Sequence, residues 1–173
     1  LYFAKMALTK EQVLKQYFGY DKFRPLQADI IDWVLYGQDC MVLMPTGGGK
    51  SLCFQVPALM MQGITIVISP LIALMHDQVQ ALQANGIPSA YINSSLSGAE
   101  RFAIERQCKA GEIKLLYISP EKLFSNGYLD WIKSLQVSMV AVDESHCVSV
   151  WGHDFRPEYT QLHVLKSALP NVP

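Results

Sequence analysis

The run Met44-Pro45-Thr46-Gly47-Gly48-Gly49-Lys50-Ser51 constrains this chain more than any other stretch. It follows a short apolar run, Cys40 to Met44, that reads as a strand, and precedes an apolar stretch from Leu52 that reads as a helix. Strand, glycine loop and helix in that order are the context in which a Lys-Ser pair becomes a phosphate site. Three consecutive glycines let the backbone turn its N–H groups inward, with no Cβ to hold a phosphate away. The helix that follows adds the partial positive charge of its N-terminus. In such a loop Thr46, Gly47, Gly48 and Gly49 cradle phosphates, Lys50 reaches the β- and γ-phosphates, and the Ser51 hydroxyl holds Mg²⁺. Met44 stands where the usual pattern has its first glycine.

The 173 residues fit one domain able to bury a substantial core. Half are apolar and only 17% are charged, which suits a sheet covered on both faces. A net charge of −1 argues against a polycation that coats nucleic acid by bulk attraction, and leaves room for a local strand-binding groove. Cys40, Cys53, Cys108 and Cys147 are far apart and contain no C-x-x-C pair. They read as reduced, buried thiols of a cytosolic protein rather than a disulfide framework or a zinc site. No apolar run reaches the roughly 18 residues of a membrane span. Residues 1–5 resemble an expression leader, with Met6 the natural start, which leaves 6–173 as the folded lobe.

In chain order, Thr9 with Gln12 predicts a capping box, and the first helix ends at Gly19. Tyr20 to Gln27 leads into a second helix that stops near Gly37. Gln27 has two readings. It is either a polar residue at a helix start, or an amide that donates to and accepts from the edge of adenine. Pro57 falls inside the helix predicted from about Gly49 toward Met61, which implies a kink or an early stop. Strands are expected at Thr65–Ser69, Ala90–Asn93, Lys114–Ser119 and Val137–Val142. Helices lie between them at Leu71–Asn85 and Ser97–Ala110, and broken helix spans Glu121–Leu135. Strands alternating with helices predict an α/β fold: a mainly parallel sheet with helices on both faces and the ligand outside the strands' carboxyl ends. Met44, Ser69, Ser119 and Asp143 each end a strand, so their loops should gather on one edge.

The last strand runs into Asp143-Glu144-Ser145-His146. An aspartate there is placed to hold Mg²⁺, and Glu144 to polarise an attacking water. A single carboxylate in that position would read equally well as a helix cap. Two carboxylates and a histidine downstream of a glycine loop point to nucleotide hydrolysis, with Lys50, Asp143, Glu144 and His146 as the catalytic set. Beyond them comes Trp151-Gly152-His153-Asp154-Phe155-Arg156-Pro157-Glu158-Tyr159. Aromatic residues interleaved with charge suit stacking on bases, and equally a packed aromatic corner.

Taken together these residues resemble the first RecA-like lobe of a superfamily 2 DNA helicase of the RecQ family. Phe18-Gly19-Tyr20 with Phe23-Arg24-Pro25-Leu26-Gln27 is similar to that family's adenine-reading motif. Ser69 to Met75 with Asp77-Gln78-Val79 resembles its motif Ia, and Tyr117 to Leu123 a later single-strand motif. The stretch from Trp151 to Tyr159 resembles the aromatic-rich loop that couples DNA binding to ATP hydrolysis. By this resemblance Tyr20, Arg24 and Gln27 contact adenine, while Lys50, Ser51, Asp143 and Glu144 handle the phosphates and Mg²⁺. Trp151, His153, Asp154, Phe155 and Arg156 form the DNA-coupling loop. The chain departs from the family at Ser145, His76 and Val150, where alanine, lysine and glutamine are common.

The implied activity is ATP-driven 3′-to-5′ unwinding in recombination and repair. The implied partners are single-stranded and partially duplex DNA and a second RecA-like lobe. The implied location is the bacterial cytoplasm at the nucleoid, or a eukaryotic nucleus. The chain stops before the Thr-Ala-Thr motif, the second lobe and the zinc module, so the resemblance implies a fragment that binds nucleotide without unwinding. An RNA helicase and a non-motor nucleotide switch are the competing readings.

Overall fold

A computed structural model describes residues 8–45, 47–125, 127–148 and 157–173. The chain divides into two compact units, Leu1–Gln62 with Pro173, and Gly63–Val172.

The first unit holds three helices, α1 (Lys10–Phe18), α2 (Gln27–Leu35) and α3 (Leu52–Met60). The capping box forms as the sequence predicts. Thr9 Oγ1 accepts from the Gln12 N–H at 3.2 Å, and Gln12 Oε1 accepts from the Thr9 N–H at 2.9 Å. Gly19 closes α1 in the left-handed region, its N–H donating to the Lys15 carbonyl. Val13, Leu14, Ile31 and Val56 bury their side chains together, and the Lys10 ammonium pairs with the Asp32 carboxylate.

The second unit is built on a sheet of β1 (Ile64–Ile68), β2 (Ser89–Ile92), β3 (Leu115–Ile118) and β4 (Val137–Val142). All pairings are parallel and the order is β2-β3-β1-β4. Between the strands lie α4 (Ile72–Ala84), α5 (Gly98–Lys109), and the short α6 (Pro120–Leu123) and α7 (Tyr128–Lys133); α8 (Val164–Ala168) follows β4. β1 and β3 are buried throughout, as a parallel sheet covered on both faces requires. Ile64, Ile66, Ile68, Leu116 and Ile118 point to one face, against Cys108 of α5, Leu123 of α6, Ile132 of α7 and Leu165 of α8. On the other face α4 buries Met75, Val79 and Leu82, and Tyr117 of β3 bonds to its Gln78. The predicted α/β architecture is thus the observed one. Because Ile68 is in register with both Ile118 and Val142, the segments that begin at Ser69, Ser119 and Asp143 leave the sheet along one edge.

Several local expectations are corrected. Cys40 to Met44 is not a strand. It carries no regular secondary structure, with Met41 and Leu43 over 80% exposed, because an apolar run becomes a strand only when a neighbouring backbone takes its hydrogen bonds. Pro57 neither stops nor shortens α3 appreciably. The helix runs on to Met60, and Met61 N–H still bonds to the Pro57 carbonyl at 2.9 Å. Proline removes only its own donor, which here leaves one bond missing near the helix end. Of the four cysteines, Cys53, Cys108 and Cys147 are buried, but Cys40 is exposed. Among the described residues, no helix is long and apolar enough to cross a membrane.

Candidate nucleotide site

Within the first unit, the glycine loop is closed by side chains from the first residue of α2 and the segment before it. Gln27 is 1% exposed. Its Oε1 accepts from the Arg24 N–H at 2.8 Å, and its Nε2 donates to the Gly49 carbonyl at 3.0 Å. The Arg24 guanidinium donates to the Gly47 carbonyl. Arg24 and Gln27 therefore hold the loop itself, while Tyr20 is 55% exposed. Space requires glycine at 48 and 49, and conformation requires it at 47 and 49. A Cβ on Gly48 would lie 2.8 Å from the Pro45 carbonyl oxygen. One on Gly49, at φ +83°, would lie 2.5 Å from Gln27 Nε2. Lys50 Nζ donates to the Met44 carbonyl at 3.2 Å, folding back over the loop it follows. Ser51 opens α3 without a side-chain capping bond, so its hydroxyl is not spent on the helix. This cradle of glycines, with a lysine and a serine hydroxyl at a helix N-terminus, fits a nucleotide phosphate. Thr46 lies outside the described residues.

In the second unit, Asp143 continues the ladder of β4, its N–H donating to the Ile68 carbonyl at 2.9 Å. Its carboxylate is half-buried. Oδ1 accepts the Glu144 N–H at 3.0 Å and Oδ2 faces Gln78 Nε2 at 3.5 Å. Glu144 follows with φ +52°, one of two non-glycine residues in the left-handed region among the described residues. A carboxylate residue held there is strained by about 1–2 kcal/mol relative to ordinary backbone. That turn leads the chain into the 3-10 segment Ser145–Val148. His146 Nδ1 lies 3.2 Å from Glu144 Oε2. Hard oxygen donors such as the Asp143 carboxylate suit Mg²⁺.

Tyr159 ends the predicted aromatic loop, and the structure removes it from any base-stacking role. It is 2% exposed and its hydroxyl donates to the Asp143 carbonyl at 2.9 Å. Aromatic composition alone does not distinguish a buried ring from a stacking one, and at this position burial wins. Trp151, His153, Asp154, Phe155 and Arg156 lie outside the described residues.

The same sheet edge carries a groove of about 910 Å³ lined by Leu71, Ile72, Asp77, Ser94, Ser119 and Lys122, among others. Lys122 stands 4.4 Å from the centre of the Tyr128 ring, whose hydroxyl donates to Glu105 at 2.5 Å. Burial, followed by that bond, pushes the Tyr128 phenol well above its usual pKa, so it stays a neutral donor. The sequence places Gln78, Tyr117 and Tyr159 in motifs but does not reveal their bonds to one another and to Asp143. The available signal was Gln78, a polar residue on the helical stripe of Met75, Val79 and Leu82.

The first unit thus carries a glycine loop that fits a phosphate, and the second an α/β sheet with an acidic pair at a strand end. Residues 24–171 match the DEAD/DEAH box helicase family model, and the chain belongs to that family. It is 52% identical over 165 residues to the ATP-dependent DNA helicase RecQ of Pasteurella multocida, covering 95% of this chain and 26% of that protein. To the ATP-dependent DNA helicase RecQ of Bacillus subtilis it is 49% identical over 164 residues, covering 94% and 28%. Among solved structures, a hypothetical ATP-dependent RNA helicase from Sulfolobus tokodaii superimposes with a TM-score of 0.67. It is 20% identical and covers 94% of this chain and 46% of that one. The resemblance to a RecQ-type first lobe read from the sequence is therefore upheld, and the chain spans about a quarter of the length of those two relatives.

Proposed function

We propose that this chain is the nucleotide-binding lobe of an ATP-dependent 3′-to-5′ DNA helicase that acts in recombination and repair. The observation that carries the reading is the near-50% identity to RecQ helicases over almost the whole chain, together with the acidic pair Asp143-Glu144 directly after strand β4. Tyr20, Arg24 and Gln27 lie on the adenine side. The backbone of Thr46, Gly47, Gly48 and Gly49 takes the phosphates, and Lys50 neutralises charge on the β- and γ-phosphates. Ser51 and Asp143 are the residues that would hold Mg²⁺, which when bound neutralises phosphate charge and orients the γ-phosphate. Glu144 accepts the proton of the attacking water, and His146, beside it, orients that carboxylate. In this reading Gln27 meets the base only by exchanging its bonds to Arg24 and Gly49.

The groove beside Ser119 and Lys122 is the path we assign to single-stranded DNA, with Trp151, His153, Asp154, Phe155 and Arg156 reporting its occupancy. The protein works where chromosomal DNA lies, at the bacterial nucleoid or in a nucleus. Hydrolysis requires a cationic finger from a second lobe, a contribution of roughly 10³–10⁵ in rate in GTPases. Residues 1–173 alone should bind Mg-ATP weakly and neither hydrolyse it nor separate strands.

The test is unwinding of partial duplexes by the full-length protein. Substrates with a 3′ single-stranded tail should be opened and those with only a 5′ tail should not. Preference for the 5′ tail, or opening of RNA duplexes alone, would refute the assignment.

A further inference from the structure

Gln78 lies on α4, one residue after Asp77 at the groove, and its carboxamide bridges two other groups. Tyr117 Oη donates to Gln78 Oε1 at 2.7 Å, and Gln78 Nε2 reaches toward Asp143 Oδ2 at 3.5 Å. The sense of the amide is forced. An ionised carboxylate only accepts, so the NH₂ must face Asp143 and the carbonyl must take the phenolic proton. Tyr117 is fully buried in β3, whose neighbours are β2 and β1, so the anchor of this chain of contacts is fixed by the sheet itself. The other oxygen of Asp143 takes the Glu144 N–H at 3.0 Å. Each carboxylate oxygen thus faces one donor, and its remaining lone pairs are held in direction. A neutral amide does this without cancelling the carboxylate charge, as a lysine would.

We propose that Gln78 is a positioning residue that holds the Asp143 carboxylate in its metal-binding orientation, with Tyr117 acting through Gln78. The proposal rests on the reading of Asp143 as a Mg²⁺ ligand. Residues that bond to a ligating side chain orient it, and their loss typically weakens metal binding by about 10–100-fold. The long Gln78–Asp143 contact puts this case at the low end. Gln78 is half-exposed on its helix, so its truncation leaves the core intact.

The experiment is a Mg²⁺ titration of fluorescent ADP binding, comparing the unmodified protein with Gln78→Ala, Tyr117→Phe and the double variant. Gln78→Ala should raise the Mg²⁺ midpoint by about tenfold and leave Mg²⁺-free ADP affinity unchanged. Tyr117→Phe should raise it less, and the double variant no more than Gln78→Ala, because the two residues act in series. A wild-type midpoint in Gln78→Ala overturns the positioning role and leaves the nucleotide site standing. A double variant that exceeds Gln78→Ala overturns the order of action. No Mg²⁺ dependence in the unmodified protein overturns the nucleotide reading and this proposal with it.

Discussion

The hydroxyl of Tyr159 donates a 2.9 Å hydrogen bond to the backbone carbonyl of Asp143, across 16 residues of chain. The ring is buried, in the 3-10 segment Pro157–His163. On the near side, the Cys147 N–H donates to the Glu144 carbonyl at 2.9 Å. The stretch carrying Trp151 and Phe155 is therefore entered and left at points tied to the acidic pair. On the proposed reading, a base that stacks in that stretch would act on backbone adjoining Asp143 and Glu144.

Tyr159→Phe removes that bond and keeps the ring. It should cost about 1 kcal/mol, a drop of roughly 2–4 °C in melting temperature for a chain of this size. Nucleotide affinity should be kept and stimulation of hydrolysis by DNA reduced in the full-length protein. Tyr159→Ala should cost about 3–5 kcal/mol, as loss of a buried aromatic does. Trp151→Ala and Phe155→Ala should instead leave the melting temperature in place and abolish stimulation. Thermal melts and ATPase rates against single-stranded DNA concentration check all four. A large melting loss in the Trp151 or Phe155 variant would show those rings to be packed core.

Lys50→Ala should abolish Mg-nucleotide binding without unfolding the lobe, since its one described bond is to the Met44 carbonyl. Gln27→Ala should act twice. Leaving the Arg24 N–H and the Gly49 carbonyl without a partner costs about 1–3 kcal/mol and loosens the loop toward ATP and GTP alike. An adenine role adds a loss of ATP-over-GTP preference. Competition of each nucleotide against labelled ADP separates the effects: weakened binding with intact preference would leave Gln27 as a loop clamp only.

Glu144→Gly removes a side chain from a left-handed position that glycine adopts freely. Relief of about 1 kcal/mol should offset glycine's entropic cost and hold or raise the melting temperature by a few degrees, while hydrolysis by the full-length protein is lost. A fall of many degrees would mean that Glu144 contributes to stability through contacts other than its backbone.

The cysteines should differ in reactivity. Burial, and then the nearby Cys40, pushes the Cys53 thiol up to about 11, and burial, and then Glu105, pushes Cys108 up to about 12. Partial burial, and then Asp39, raises the Cys40 thiol as well, but Cys40 is the one cysteine that is exposed. Thiolate is the reactive form, so at pH 8 N-ethylmaleimide should alkylate Cys40 slowly and the buried three not at all, as read by intact mass. All four should react in denaturant. Fast labelling of Cys53 in the folded protein would contradict its burial.

Much of this was legible where the signal is local. Thr9 with Gln12 and Gly19 bound the first helix because caps are satisfied within a few residues. Val137 to Val142 read as a strand to the residue. The phosphate loop and acidic pair were named because their chemistry fixes their spacing. What escaped depends on distant partners. Gln27 binds Gly49 across 22 residues, and Gln78 reaches Asp143 across 65; no periodicity reports such pairs. The apolar character of Cys40 to Met44 marks a tendency to be buried but not the backbone that would pair with it. Tyr159 looked like its aromatic neighbours because composition is blind to which ring faces inward.

The most direct measurement is the ATP hydrolysis rate of the full-length protein, unmodified and as Glu144→Gln, without nucleic acid, with single-stranded DNA and with RNA. The account predicts low basal hydrolysis, strong stimulation by DNA, little by RNA, and a Glu144→Gln variant that binds ATP but does not turn it over. Equal stimulation by RNA, or hydrolysis that survives Glu144→Gln, would contradict it.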